Sequence, residues 1–226
     1  MKALLIHGLS SNSATWWRVR RALEEQGWDV TTPDLRGHGR ADRADSYALE
    51  DYAGDLPDGP WDLIVGHSLG GAVAVLRATT TRQLVLIDPV LEVRAEDFDE
   101  IKADQLAELR LTPESIRASK PLWSEKDLEL KITALTQVDP TAVERSFSDN
   151  LDWNVLDAAR AIAVPTLILG ADPAVSSLLP IATAEALVAA NPLVEYRLIE
   201  GAGHSVHRDR PDVVIAALLS LPAVVD

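Results

Sequence analysis

The stretch Leu63-Ile64-Val65-Gly66-His67-Ser68-Leu69-Gly70-Gly71 constrains this chain more than any other. Three consecutive apolar residues with no polar alternation suit a strand buried on both faces, as in a parallel sheet covered by helices. The run then meets a Gly-x-Ser-x-Gly turn and continues as an apolar helical segment. That order, strand then turn then helix, holds a serine on a sharp bend with its hydroxyl outward. The small residues Gly70, Gly71 and Ala72 let the helix approach the sheet closely. A phosphate-binding loop is set aside, because no Gly-Lys-Ser/Thr follows.

The rest of the chain repeats the same alternation. Apolar runs at residues 3–7, 28–32, 63–66, 84–88, 166–170 and 195–200 read as strands. Amphipathic segments at 16–26, 46–55, 69–79, 181–191 and 210–219 read as helices between them. This predicts a doubly wound α/β sheet with helices on both faces. Residues 89–163 break the rhythm. They hold no convincing strand, only helical periodicity such as Ile101, Leu106, Leu109 and Leu128, Leu130, Ile132, Leu135. They also carry nine basic and sixteen acidic residues, half of the chain's net charge of −14. The pattern fits a solvated helical insertion over a sheet edge, dividing a core of residues 1–88 and 164–226.

The acidic balance argues against binding nucleic acid or an anionic membrane surface. The absence of cysteine excludes disulfides, thiolate metal sites and a cysteine nucleophile. The longest apolar stretch, 213–225, is short of a spanning helix and contains Pro222. The reading is therefore a soluble, cytoplasmic protein with a small-molecule substrate and no cofactor or metal. A metal pair at His204 and His207 lacks a third ligand.

A nucleophilic serine needs a base and an acid. Glu200-Gly201-Ala202-Gly203-His204 follows the last strand, so His204 falls on the sheet's C-terminal edge with Ser68. For the acid, two strands end in aspartate, at Asp88 and at Asp172. Asp172 is preferred, because its strand should lie nearer the one leading to His204. Asp88 then caps the chain entering the insertion. Oxyanion donors are expected from the backbone N–H of Leu69, after the nucleophile, and of Leu9, in the loop after the first strand. His7 would tie that loop down.

These segments together resemble the α/β-hydrolase fold superfamily over nearly the whole chain. The resemblance rests on His7-Gly8-Leu9, Pro33-Asp34-Leu35-Arg36-Gly37-His38-Gly39, the turn at Ser68, and Gly203-His204. It implies a Ser68–Asp172–His204 triad and a cap domain over 89–163. Two departures stand out. The usual first hairpin is missing, which leaves six parallel strands in the order 2-1-3-4-5-6. The acid loop Gly170-Ala171-Asp172-Pro173 is one residue tighter than the common form.

The function expected is an esterase or lactonase working through an acyl-enzyme. Carbon–carbon bond hydrolases and acyltransferases share such a triad, and a non-catalytic ligand-binding scaffold is the reading from another class. Ser10, Leu91, Leu122, Trp123 and Val175 are expected to line the substrate pocket, alongside Val90. Such a lining predicts compact neutral acyl groups rather than long lipid chains.

Overall fold

The computed structural model describes residues 1–222, so the last residues of the 213–225 stretch lie outside the described part. Six strands form one parallel sheet in the order β2-β1-β3-β4-β5-β6. They are β1 (Lys2–Ile6), β2 (Asp29–Thr31), β3 (Leu63–His67), β4 (Leu84–Ile87), β5 (Thr166–Ala171) and β6 (Val194–Ile199). Before β4 the connecting helices are α1 (Trp17–Glu25), α2 (Leu49–Gly54) and α3 (Leu69–Leu76). Between β4 and β5 come α4 (Phe98–Glu108), α5 (Pro113–Ser119), α6 (Glu125–Gln137), α7 (Pro140–Ser148) and α8 (Leu156–Arg160). The chain closes with α9 (Ile181–Ala190), α10 (Val206–Asp209) and α11 (Pro211–Leu219).

Side chains alternate along each strand, and the two sets feed two separate apolar layers. Leu4, Ile6, Ile64, Leu84, Leu86 and Ile168 face α2, α3 and α9. Ala3, Leu5, Leu63, Val65, Val85, Ile87, Leu167 and Leu169 face α1 and α11. Both faces of β1, β3, β4 and β5 are thus covered, which is why those strands read as unbroken apolar runs.

The insertion is helical, as its periodicity indicates, but its two ends differ. Val143 and Phe147 of α7 and Leu156 and Ala159 of α8 join the same apolar layer as the sheet. By contrast α4 buries none of its residues fully. Two capping boxes, at Thr112 and Ser124, start α5 and α6 by satisfying their first free N–H groups. No described helix is long and apolar enough to cross a membrane.

Candidate active site

Ser68 sits between β3 and α3 with φ 56° and ψ −122°, a conformation that side chains other than glycine rarely adopt. Its neighbours make that bend possible. A Cβ on Gly70 would collide with the carbonyls of Ile6 and His7, so only glycine lets α3 lie against β1 there. A Cβ on Gly8 would stand 2.8 Å from the Ser68 Cβ, so the loop after β1 passes directly over the serine. The Leu69 N–H opens α3, where the helix supplies no acceptor for it. Leu9 follows Gly8 and lines the same cavity as Ser68.

That loop is held from two sides. Within the core, the His7 Nδ1–H donates to the Gly8 carbonyl at 2.8 Å, and His7 Nε2 accepts the Leu35 N–H at 3.0 Å. Burial pushes the His7 imidazole down to about 4, so it stays neutral in this role. From the insertion, Lys131 of α6 donates to the Ser10 carbonyl at 2.9 Å and to its hydroxyl at 3.0 Å. The Ser10 hydroxyl donates to Glu108 of α4 at 2.6 Å, and Glu108 pairs with Lys131 at 2.9 Å. Ser10 itself has φ 54°. It is fully buried and stands behind the cavity wall, bonded to two residues that form it.

The histidine and its acid depart from the sequence reading in one respect. The His204 Nδ1–H donates to Asp88 at 2.6 Å, not to Asp172. Asp88 is completely buried and its carboxylate also accepts from the Ala171 N–H, the Leu178 N–H and the Ser177 hydroxyl. Burial pushes its carboxyl up, but His204 and the Leu178 and Ser177 donors outweigh burial and hold it below the ordinary carboxylate range. Asp172 instead accepts the Gly201 N–H at 2.8 Å and the Ala174 N–H at 2.9 Å. Its own N–H bonds the Ala202 carbonyl. The reason is reach. The loop after β6 folds back over the end of β5, so its histidine arrives above β4, while Asp172 ties the two loops together.

With Nδ1 committed to Asp88, His204 keeps Nε2 available, and it lines the same cavity as Ser68. Two further histidines pack around it. His67 donates its Nε2–H to the His204 carbonyl at 2.9 Å, and its ring lies 4.7 Å from that of His204 and 4.6 Å from that of His207. Burial pushes both His67 and His207 well below the usual histidine value, so both stay neutral. His67 was legible only as the variable residue of the Gly-x-Ser-x-Gly turn, and nothing in the sequence marks it as a support for the His204 loop.

Two spaces open at Ser68. One is a cavity of about 350 Å³ that includes Leu9, Ser68, Glu108, Lys120, Trp123, Lys131, His204 and Arg208 in its lining. The other is an apolar recess of about 20 Å³ between Leu9, Leu69, Val90, Phe147, Trp153 and Leu178. Leu69, Val90 and Trp123 are therefore at the site, whereas four expected pocket residues border neither space, Ser10 behind the cavity wall and three others elsewhere. Leu91 is buried in the sheet's apolar layer, and Leu122 and Val175 are 51% and 57% exposed without bordering either space. An apolar residue on a turn carries no information about which way it faces. The mostly apolar or neutral lining expected from sequence, with Arg94, Lys120 or Lys126 as a cation at the mouth, instead includes three cationic groups, Lys120, Lys131 and Arg208, together with Glu108 and Asp104. No described cluster of three or more His, Asp or Glu residues could hold a metal.

Residues 3–217 match the family model of the alpha/beta hydrolase family. An uncharacterised protein of Mycobacterium tuberculosis is 46% identical over 90 residues, covering 36% of this chain and 26% of that protein. Lipase LipV of the same organism is 32% identical over 140 residues, covering 56% and 52%. The matched part is thus about half, or less, of the length of these relatives. Among solved structures, an esterase from Exiguobacterium antarcticum superimposes with a TM-score of 0.79 at 18% identity, covering 97% of this chain and 91% of that one. The six parallel strands, the bend at Ser68 and the match over residues 3–217 agree, and the chain belongs to the alpha/beta hydrolase family.

Proposed function

We propose that the chain is a serine hydrolase acting on compact esters or lactones through an acyl-enzyme. The observation that carries this reading is the pairing of His204 with the buried Asp88 beside the bent Ser68, all on one sheet edge. Ser68 Oγ attacks the carbonyl carbon while His204 Nε2 takes its proton. Asp88 fixes the tautomer and stabilises the imidazolium that forms. The Leu9 and Leu69 N–H groups receive the oxyanion, where each such donor contributes about 3 kcal/mol in related chemistry. Collapse breaks the bond to the leaving group, which takes the proton from His204. Water then repeats the sequence with His204 as base, releasing the acid and restoring Ser68.

Helices α4 to α6 act as the cap in this reading, since Glu108, Lys120, Trp123 and Lys131 wall the cavity. The recess of about 20 Å³ suits an acetyl or similarly short acyl group and leaves no room for a fatty chain. Esterase and lipase relatives, and a deformylase of Pseudomonas putida 25% identical over 232 residues, support hydrolysis as the reaction class. A panel of esters, lactones and amides assayed with wild type and Ser68→Ala tests it. Turnover of acetate esters in wild type, at least about 10⁴-fold lower in Ser68→Ala, is expected, together with fluorophosphonate labelling of Ser68. Retention of turnover in a folded Ser68→Ala protein would overturn the mechanism, and a preference for palmitate over acetate esters would overturn the size limit.

A further inference from the structure

The described part of the molecule buries two cations at the cavity, and they are satisfied very differently. Lys131, 4% exposed, has an ion pair with Glu108 and two hydrogen bonds to Ser10. Arg208, 3% exposed, makes one hydrogen bond, from Nε to the Thr15 hydroxyl at 2.9 Å. Its guanidinium lies 4.5 Å from the centre of the Trp123 ring, and Nη2 is buried with no partner. The carboxylates nearest in charge are all engaged elsewhere. Asp127 takes Trp17, Arg18 and Ser124, Asp209 takes Trp123 and Gly203, and Glu108 takes Ser10 and Lys131. Burial lowers the guanidinium only to about 10, so it is charged at neutral pH.

A buried charge with most of its donors unused is costly unless something else neutralises it. Arg208 lines the cavity that holds Ser68 and His204. We infer that the substrate carries a carboxylate and that Arg208, backed by Trp123, is the residue that binds it. This rests on the serine hydrolase reading and narrows its substrate class. The apolar recess beside Ser68, which Arg208 does not line, takes the acyl group, so the carboxylate belongs to the alcohol or amine released. A planar guanidinium offers a carboxylate two parallel N–H donors, a match that a lysine cannot make. The charge of the lining favours a monoanion over a phosphate dianion. Lys120, Lys131 and Arg208 face Asp104 and Glu108, which leaves one positive charge over.

The test compares 4-acetoxybenzoate with its neutral methyl ester, two acetates that differ in one charge on the leaving group. The readout is the ratio of their kcat/KM values in wild type, Arg208→Gln and Arg208→Lys, so that intrinsic reactivity cancels. Arg208→Gln should lower the ratio at least tenfold, the loss of one hydrogen-bonded ion pair, and Arg208→Lys should fall between. An unchanged ratio in a folded Arg208→Gln protein overturns the assignment. Calorimetry on the wild type gives a second reading that needs no variant and no catalysis. The product 4-hydroxybenzoate should bind at least tenfold tighter than its methyl ester, and equal affinity overturns the assignment. Ser68→Ala, run in parallel, separates the two readings. Unaltered turnover there would sink the serine hydrolase mechanism, whereas its loss with an unmoved ratio would sink only the role of Arg208.

Discussion

The ends of β4 and β5 look alike in sequence and treat their aspartates in opposite ways. Leu84-Val85-Leu86-Ile87 runs into Asp88, and Thr166-Leu167-Ile168-Leu169-Gly170-Ala171 runs into Asp172. Asp88 is fully buried and accepts four hydrogen bonds, one from His204. Asp172 is partly exposed and accepts two, both from backbone N–H groups of its own and the neighbouring loop. Each carboxyl lies below its ordinary pKa, Asp172 through its Gly201 and Ala174 donors. A lowered pKa alone therefore does not mark the acid of the site. The distinguishing property is a charge held away from water with one acceptor turned to a titratable partner.

The sharpest way to break this comparison is to make the same change at both positions. Asp88→Asn should lower kcat by about 10³- to 10⁴-fold, because an amide favours the wrong histidine tautomer. KM should move little. Steady-state kinetics on an acetate ester would show it. A loss under tenfold would return the acid's role to another residue.

How much of this was legible depends on how local each feature is. The bend at Ser68 is written in consecutive residues, strand then glycine then helix, and the six strands follow from the alternation, whereas their spatial order was implied by the resemblance to the α/β-hydrolase fold. The choice between Asp88 and Asp172 is not local. The His204 strand does neighbour β5, as expected, yet the loop between Ile199 and His204 reaches past β5 to β4. No pattern in Glu200-Gly201-Ala202-Gly203 states how far it extends. The tight loop at Gly170-Ala171-Asp172 was the one sign that Asp172 is built for a different task. The insertion poses the same difficulty on a larger scale. Its apolar period shows that helices form, but not that Glu108 and Lys131 meet over Ser10. Arg208 belongs to no motif, and its place at the cavity follows only from the packing of Trp123 and Thr15 around it.

A second, smaller effect sharpens the contrast through stability. Asp88→Asn turns one acceptor into a donor facing other donors, which should cost about 2 to 4 kcal/mol at neutral pH. Because the folded carboxyl titrates below its unfolded value, its contribution is present above the ordinary carboxylate range, near 4. That contribution is lost as pH falls through the lowered folded value, where the protonated acid resembles the amide. Urea unfolding of both proteins should therefore show a gap that is present at pH 5 and above and closes as pH falls below about 4. A gap that stays unchanged well below about 4 would mean that the donors around Asp88 do not prefer its charged form.

The smallest effect is expected at Asp172. Asp172→Asn keeps one carbonyl acceptor and turns the other atom into a donor, so one of the Gly201 and Ala174 N–H groups loses its partner. The position is open enough for water to replace that bond, and the Asp172 N–H still holds the Ala202 carbonyl. The loop carrying His204 should loosen without moving off Asp88. Hydrogen exchange at the Gly201 and Ala174 amides should speed up, while kcat/KM falls by no more than about threefold. The result that matters is the order. If Asp172→Asn proved more damaging to kcat than Asp88→Asn, the loop after β6 would have to sit over β5 during turnover. The pairing of His204 with Asp88 would then be only one of two arrangements the site adopts.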